Sequence, residues 1–273
     1  MRFLILDVFT DTPLAGNQLA VFPEADEVPE HLLQPLAREI NFSETVFVYP
    51  PSDPANTARM RIFVPVAEIP FAGHPVLGTA VALAARRNLS EVRLETGQGL
   101  VPVTVRGTHG AMRQPLPSVK PYAKADGLLQ ALGLKRSELP VEIYDNGIRH
   151  AYIALASEEE VARLRPDATR LERFGVLGTN CFAGSGRRWK TRNFVPGAGI
   201  VEDPATGSAA GPLALHLARH GVISFGEEIE ISQGVEISRP STLYACVEGT
   251  RERVDRILVG GSAVIVARGE FRL

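Results

Sequence analysis

Three short motifs bring together the residue types that proton-transfer chemistry needs. Glu44 opens the strand-like run ETVFVY, AGHP occupies residues 72–75, and EDPATGS occupies residues 202–208. On the two-residue period of a strand, Glu44 shares a face with the apolar residues Phe42, Val46 and Val48. A carboxyl on an apolar face is desolvated, which raises its pKa and suits a general acid/base. The alternative is a Glu44 in water at the mouth of the strand.

The other two motifs are turns that lead into helices rich in small residues. Gly73 lets the backbone approach a ligand closely, and Pro75 suits the first helical position. Thr206 or Ser208 can cap the second helix. Two helix N-termini facing each other across a cleft would hold a carboxylate, because each carries unpaired N–H groups and about half a positive charge. Alternatively, Gly and the other small residues only allow close helix packing.

Several polar residues near these turns have both a structural and a chemical interpretation. His74 is either a capping or core-edge histidine or a site residue, and Asp203 either favours the helix dipole or binds a ligand. His216 and His220 have an i, i+4 spacing that can bind a metal. No acidic third ligand or HExxH pattern accompanies them, so we predict no metal site. Pro212 fits only if the second helix begins near Ser208 or kinks.

Composition narrows the class of protein. The chain has 273 residues, 45% apolar and 22% charged, which is typical of a globular protein of two domains. A formal net charge of -2 gives no basic field for nucleic acid or anionic lipid. No apolar run approaches the ~20 residues of a membrane span, and the N-terminus does not resemble a signal peptide. Cys181 and Cys246 form no CxxC motif, so we expect two buried thiols in a reducing cytoplasm.

The pattern along the chain indicates a duplicated plan of several strands and one Ala/Gly-rich helix. A helix is predicted at 29–41, with Asn41 closing it, and residues 142–156 are predicted to be one strand. The proline-rich stretch after Gln114 is the best candidate for a linker. We expect an N-terminal domain at 1–116, to which a last strand at 262–273 can return, and a C-terminal domain at 117–261.

No GxGxxG, Walker loop or GxSxG elbow is present, so no nucleotide or redox cofactor is predicted. What remains is proton transfer by side chains alone. The basic residues Arg187, Arg188, Lys190 and Arg192 are interpreted as a solvated strand edge.

Longer segments resemble the PhzF-like family of phenazine biosynthesis, which shares the diaminopimelate epimerase fold. They include NFSETVFV, EIPFAGHPVLGTA, GIVEDPATGSAAGPLA and NCFAGSGRRWKTRNFVP, and the resemblance covers essentially the whole chain. It implies an α+β fold of two similar domains, each a curved, mixed, barrel-like sheet around a central helix, with the active site in the cleft between them. It also implies a homodimer.

The resemblance implies a cofactor-free isomerase acting on trans-2,3-dihydro-3-hydroxyanthranilic acid. Glu44 matches the family's acid/base, and His74 and Asp203 match its other catalytic residues. Gly73, Gly207 and Ser208 match its substrate-binding residues. Epimerases of this fold use two thiols, whose places fall here near Ala72 and Thr206, so one carboxyl must transfer the proton. Gln18, Val64, Ala67 and Ser238 depart from the family pattern and leave the substrate less certain than the reaction type.

Two alternatives stay open at this point. The chain could be an isomerase or epimerase of the same family that acts on another small cyclic amino or hydroxy acid. It could also be a binding protein that keeps the site but not the chemistry, although intact Glu44, His74 and Asp203 argue against this.

Overall fold

The computed structural model describes residues 1–175 and 177–273, which form two compact units. The first unit comprises Met1–Arg113 and Gly260–Leu273, and the second comprises Gln114–Val259. The α-helices are α1 Leu33–Ile40, α2 Gly73–Arg87, α3 Ala125–Ala131, α4 Glu158–Arg163, α5 Ala168–Glu172 and α6 Gly207–Arg219. Short 3₁₀ helices cover Ala25–Glu27, Glu30–Leu32, Pro196–Ala198 and Val235–Ile237.

The strands up to β8 are β1 Arg2–Val8, β2 Asn17–Phe22, β3 Glu44–Tyr49, β4 Ala58–Val64, β5 Ala67–Ile69, β6 Glu91–Thr96, β7 Gly99–Arg106 and β8 His109–Gln114. The strands from β9 onward are β9 Ser118–Pro121, β10 Glu142–Asp145, β11 Arg149–Ala154, β12 Gly178–Ser185, β13 Arg188–Val195, β14 Ile200–Asp203, β15 Glu228–Gln233, β16 Ser241–Gly249 and β17 Val254–Glu270.

The first unit contains a closed eight-stranded barrel. Its strands pair in the order β17, β1, β2, β3, β4, β6, β7, β8, and β8 returns to β17. The β2/β3 and β4/β6 pairs are parallel, and the β17/β1, β1/β2, β3/β4, β6/β7 and β7/β8 pairs are antiparallel. β5 adds a short hairpin to β4. The helix α2 connects β5 to β6, and every residue from Gly73 to Ala84 is buried, as expected of a helix enclosed on all sides.

The second unit repeats this pairing plan. β10/β11 is antiparallel, β11/β12 parallel, β12/β13 antiparallel, β13/β15 parallel and β15/β16 antiparallel, with β14 as the short hairpin on β13. The helix α6 connects β14 to β15 and is buried from Gly207 to Ala218. The predicted fold class, two similar curved mixed sheets around a central helix, is therefore confirmed.

Glycines let both central helices pack closely, as the structural interpretation of these residues requires. A Cβ on Gly78 of α2 would lie 2.7 Å from Leu19 and Val8. A Cβ on Gly211 of α6 would lie 2.5 Å from Ile257. Such distances are below van der Waals contact, so either alanine would push the sheet away from the helix.

Several predicted elements differ in detail from the structure. Residues 142–156 contain a hairpin of β10 and β11 rather than one strand, because Gly147 takes a φ of 106°. Part of the predicted linker forms β9, which pairs with β10. The helix at 29–41 begins as a 3₁₀ turn and is closed by Asn41 at a φ of 55°. Cys181 is buried as predicted, but Cys246 is only half-buried.

No helix within residues 1–175 and 177–273 combines the length and apolar character of a membrane span.

Candidate active site

A buried carboxyl–imidazole pair lies in the first unit. Glu44 is the first residue of β3, and His74 lies in the first turn of α2. Glu44 Oε2 is 3.3 Å from His74 Nε2, and their side chains are only 13% and 3% exposed. The approach is short but not aligned as a hydrogen bond. The alternative of a solvated Glu44 is therefore wrong: its carboxyl is largely excluded from water and faces an imidazole.

A chain of polar side chains positions His74. The Ser43 hydroxyl lies 3.3 Å from Asn17 Oδ1, and Asn17 Nδ2 lies 3.2 Å from His74 Nδ1. Because an amide nitrogen can only donate, Nδ1 accepts and the ring proton sits on Nε2, facing Glu44. Burial lowers the pKa of His74 to about 3, against a smaller opposing effect of the Gln18 backbone. The imidazole is therefore neutral at pH 7. Asn17 is the first residue of β2, and Ser43 directly precedes Glu44. Neither was predicted as a site residue.

The entry to α2 presents main-chain donors. Ala72 is the extended residue before the helix, and no described side chain caps this end. Pro75 is the third helical residue, not the first as predicted. The first turn of a helix makes no use of its N–H groups for hydrogen bonds inside the helix, so a proline is tolerated there. The N–H groups of Gly73 and His74 therefore carry the positive end of the helix dipole next to Glu44.

In the second unit, Asp203 is the last residue of β14 and is 8% exposed. Its Oδ2 accepts a 2.6 Å hydrogen bond from the Thr206 hydroxyl. The side-chain amide nitrogen of Gln233 donates to the main-chain carbonyl of Asp203 at 2.8 Å and to Thr206 Oγ1 at 2.9 Å. The Gln233 Oε1 accepts a hydrogen bond from the main-chain N–H of Thr206 at 3.1 Å. The predicted capping role of Thr206 is wrong, because its hydroxyl holds Asp203 and no described side chain caps α6. Gln233, 27 residues from Thr206, could not have been assigned from spacing.

Ser208 is buried near the start of α6 and is held from two sides. Its Oγ is 3.0 Å from His150 Nε2, and its carbonyl accepts a 2.9 Å hydrogen bond from Asn146 Nδ2. Pro212 lies inside the helix and has no N–H to give this carbonyl, so Asn146 replaces the missing donor. Burial lowers the pKa of His150 to about 4, against a smaller opposing effect of Asp145.

The His150 ring fits beside Ser208 because Gly178 has no side chain. A Cβ on Gly178 would lie 2.1 Å from His150 Nδ1. Gln114 meanwhile donates to the Gly207 carbonyl at 2.7 Å. None of His150, Asn146 and Gln114 was predicted as a site residue, since no motif marks them.

Glu202 has a structural role, although it neighbours Asp203. Arg192 Nε and Nη2 bind its two carboxylate oxygens at 2.9 and 2.7 Å, with both side chains nearly fully buried. Arg192 Nη1 also donates to the carbonyls of Val161, Ala162 and Leu164 at the end of α4. The interpretation of Arg192 as part of a solvated strand edge is therefore wrong.

The predicted residues thus collect at two equivalent places. Glu44, Gly73 and His74 surround the entry to α2, and Asp203, Gly207 and Ser208 surround the entry to α6. Each entry offers one carboxyl group and an uncapped helix end. This arrangement can bind an anionic group and move a proton at a carbon atom.

Comparison with known proteins shows the family of the chain. The model of the phenazine biosynthesis-like (PhzC-PhzF) family matches residues 6–269. The chain belongs to this family. A Pseudomonas aeruginosa relative, named trans-2,3-dihydro-3-hydroxyanthranilate isomerase, is 48% identical over 100% of this chain and 99% of its own.

Solved structures show the same fold. A PhzF-family protein from Bacillus anthracis superposes with a TM-score of 0.85 at 26% identity, covering 100% of this chain and 99% of its own. A probable proline racemase from Agrobacterium radiobacter gives a TM-score of 0.65 at 13% identity, covering 100% and 93%, which shows a shared fold only.

Proposed function

We propose that the protein is a trans-2,3-dihydro-3-hydroxyanthranilate isomerase in which Glu44 transfers the proton. The observation that carries this proposal is the buried contact of Glu44 with neutral His74 at a helix entry. Support for the substrate comes from the Pseudomonas aeruginosa relative of that name, which aligns over 100% of this chain.

In the proposed reaction the Glu44 carboxylate removes a proton from C3 of the ring and returns one to C1. Substrate and product are isomers, so the step needs no oxidant, reductant or leaving group. The resulting enol relaxes to an aminoketone. One carboxyl can serve both carbons because the strand start and the helix entry fix its position.

His74 is proposed to support Glu44 in each protonation state. Its Nε2–H faces the carboxylate and stabilises the anion before proton removal. Because the imidazole stays neutral at pH 7, it does not lock Glu44 into a permanent ion pair, which would weaken it as a base.

The second unit is proposed to bind the substrate's polar groups. The Ser208 hydroxyl and the N–H group at Gly207 suit the substrate carboxylate. Asp203, held by Thr206 and Gln233, suits the substrate's amino group. A carboxylate that accepts a 2.6 Å hydrogen bond is stabilised in its charged form, which favours binding over proton uptake.

The direct test is to incubate the protein with trans-2,3-dihydro-3-hydroxyanthranilic acid and follow its ultraviolet absorbance. We expect a spectral change with the natural chain and none with Glu44→Gln. No change with a natural chain that binds a substrate analogue would contradict the proposed substrate. Analogue binding without exchange of any substrate proton would favour a non-catalytic binding protein.

A further inference from the structure

A second group of chemically capable side chains lies in the second unit, away from the entry to α6. Glu142 of β10 and His216 of α6 approach each other, and His220 follows that helix as its C-cap. One ligand atom from each of the three residues lies within 4.8 Å of the others. The sequence offered no acidic partner for the two histidines, because Glu142 precedes His216 by 74 residues.

The distances within this cluster suit a tetrahedral metal ion. Glu142 Oε2 is 3.3 Å from His216 Nδ1 and 3.1 Å from His220 Nε2. Zinc bonds of about 2.0–2.2 Å to nitrogen and oxygen place neighbouring donor atoms of a tetrahedron roughly 3.3–3.5 Å apart. The two distances to Glu142 Oε2 therefore already approach the edge length of such a tetrahedron, and all three donor atoms lie within 4.8 Å of one another.

The fold holds these side chains in place before any ion binds. The i, i+4 spacing puts both histidines on one side of the last turn of α6. The Tyr144 hydroxyl donates to Glu142 Oε2 at 2.9 Å, which orients the carboxylate. The rings of Tyr144, Tyr152 and Phe182 surround His216 at centroid distances of 5.6–5.8 Å.

We propose that Glu142, His216 and His220 bind one divalent transition-metal ion, with Zn²⁺ as the best match. Two imidazoles and one carboxylate are a usual zinc ligand set, and water can supply the fourth ligand. The ion would join β10 to the C-terminal end of α6. Along the helix, His216 is about 13 Å from Gly207, so this is a structural site and does not rest on the proposed isomerase activity.

The test uses the untagged full chain after dialysis against EDTA. Zn²⁺ is titrated against a chromophoric chelator, and Co²⁺ is used separately as a spectroscopic substitute. We expect one Zn²⁺ per chain, a higher melting temperature on binding, and the visible absorption of tetrahedral Co²⁺. Tyr144→Phe should weaken binding about 10- to 100-fold, because it removes the group that orients a ligand.

Variants decide whether the site is the one proposed. His220→Ala, at a partly exposed residue, and Glu142→Gln should abolish stoichiometric binding and the Co²⁺ spectrum. The matched control His31→Ala removes an exposed histidine of the first unit and should bind like the natural chain. Circular dichroism shows whether each variant is folded.

Absence of stoichiometric binding by the natural chain would overturn the proposal. Equal binding by the folded His220→Ala and Glu142→Gln variants would also overturn it. Isomerase activity is measured on the same samples with and without EDTA, so loss of either property is seen independently of the other.

Discussion

The two units enter their central helices in the same way but surround the entry with different chemistry. In the first unit, Glu44 faces a neutral imidazole across 3.3 Å without hydrogen-bond alignment. In the second, Asp203 accepts a 2.6 Å hydrogen bond from the Thr206 hydroxyl, and Gln233 donates a hydrogen bond to the same hydroxyl. The proposed roles follow this contrast: the first carboxyl transfers the proton, and the second binds the substrate.

This difference shows how a duplicated fold can divide two tasks. Ala72 and Thr206 occupy the same N-cap position before α2 and α6. Neither is a cysteine, so two symmetrical thiols cannot carry the proton. Under the proposed function, proton transfer belongs to the first unit and polar anchoring to the second.

The largest expected effect is on turnover and should separate the two carboxyls. Glu44→Gln should lower kcat about 10³-fold, within the range of general acid/base catalysis, while KM changes little. Asp203→Asn should mainly raise KM and leave kcat within about 10-fold. Steady-state kinetics of the two variants side by side give the answer. Equal losses of kcat would break the division of tasks.

A neutral imidazole is buried beside each helix entry, His74 in the first unit and His150 in the second, and this predicts a loss of stability in acid. The folded pKa values are about 3 and 4, and the ordinary value is 6.5. Between these values the unfolded chain binds the proton and the folded chain does not, so stability falls as pH drops through 6.5. We expect about 2 kcal/mol lost per histidine at pH 5 relative to pH 7.

The measurement is the free energy of urea unfolding against pH, with EDTA present. His74→Gln and His150→Gln should each reduce proton uptake on unfolding at pH 5 by about one. His31→Gln, an exposed control, should leave the slope unchanged. A natural slope retained by both buried variants would refute the assignment.

The hydroxyls beside the two carboxyls should differ in importance. Thr206→Val removes a hydrogen bond to a charged group and should cost about 2 kcal/mol of stability while raising KM. The counterpart Ser43→Ala removes a longer, neutral contact with Asn17 and should cost about 1 kcal/mol or less. Urea midpoints compare them, and a larger loss for Ser43→Ala would reverse the proposed contrast.

A further expected effect concerns the proline inside α6. Asn146→Ala leaves the Ser208 carbonyl without a side-chain donor and should destabilise the protein by about 1–2 kcal/mol. Pro212→Ala restores an N–H at the right position, so the double variant should regain part of this loss. A double-mutant cycle with no coupling would show that Asn146 does not compensate for the proline.

Whether a site residue can be predicted from the sequence depends on how far along the chain it lies from the residues that it contacts. Glu44, His74, Asp203 and Ser208 could be identified because they lie in short motifs at turns and strand ends. Gln233, His150 and Asn146 could not, because strand pairing and helix packing bring them to the site from distant segments. The same holds for Glu142 beside His216.

Local conformation explains one departure from the family pattern. The resemblance implies a glycine where Ser238 stands, and the φ of 58° at this residue lies in the left-handed region that favours glycine. The hairpin within residues 142–156 was mispredicted because a periodic apolar pattern continues through both strands and hides the turn between them.

The most direct measurement is solvent-deuterium incorporation during a reaction of trans-2,3-dihydro-3-hydroxyanthranilic acid in D₂O. Product formed by the natural chain should carry deuterium at C1. Asp203→Asn at saturating substrate should still incorporate it, and Glu44→Gln should incorporate it about 10³-fold more slowly. Deuterium appearing at the natural rate with folded Glu44→Gln would contradict the account.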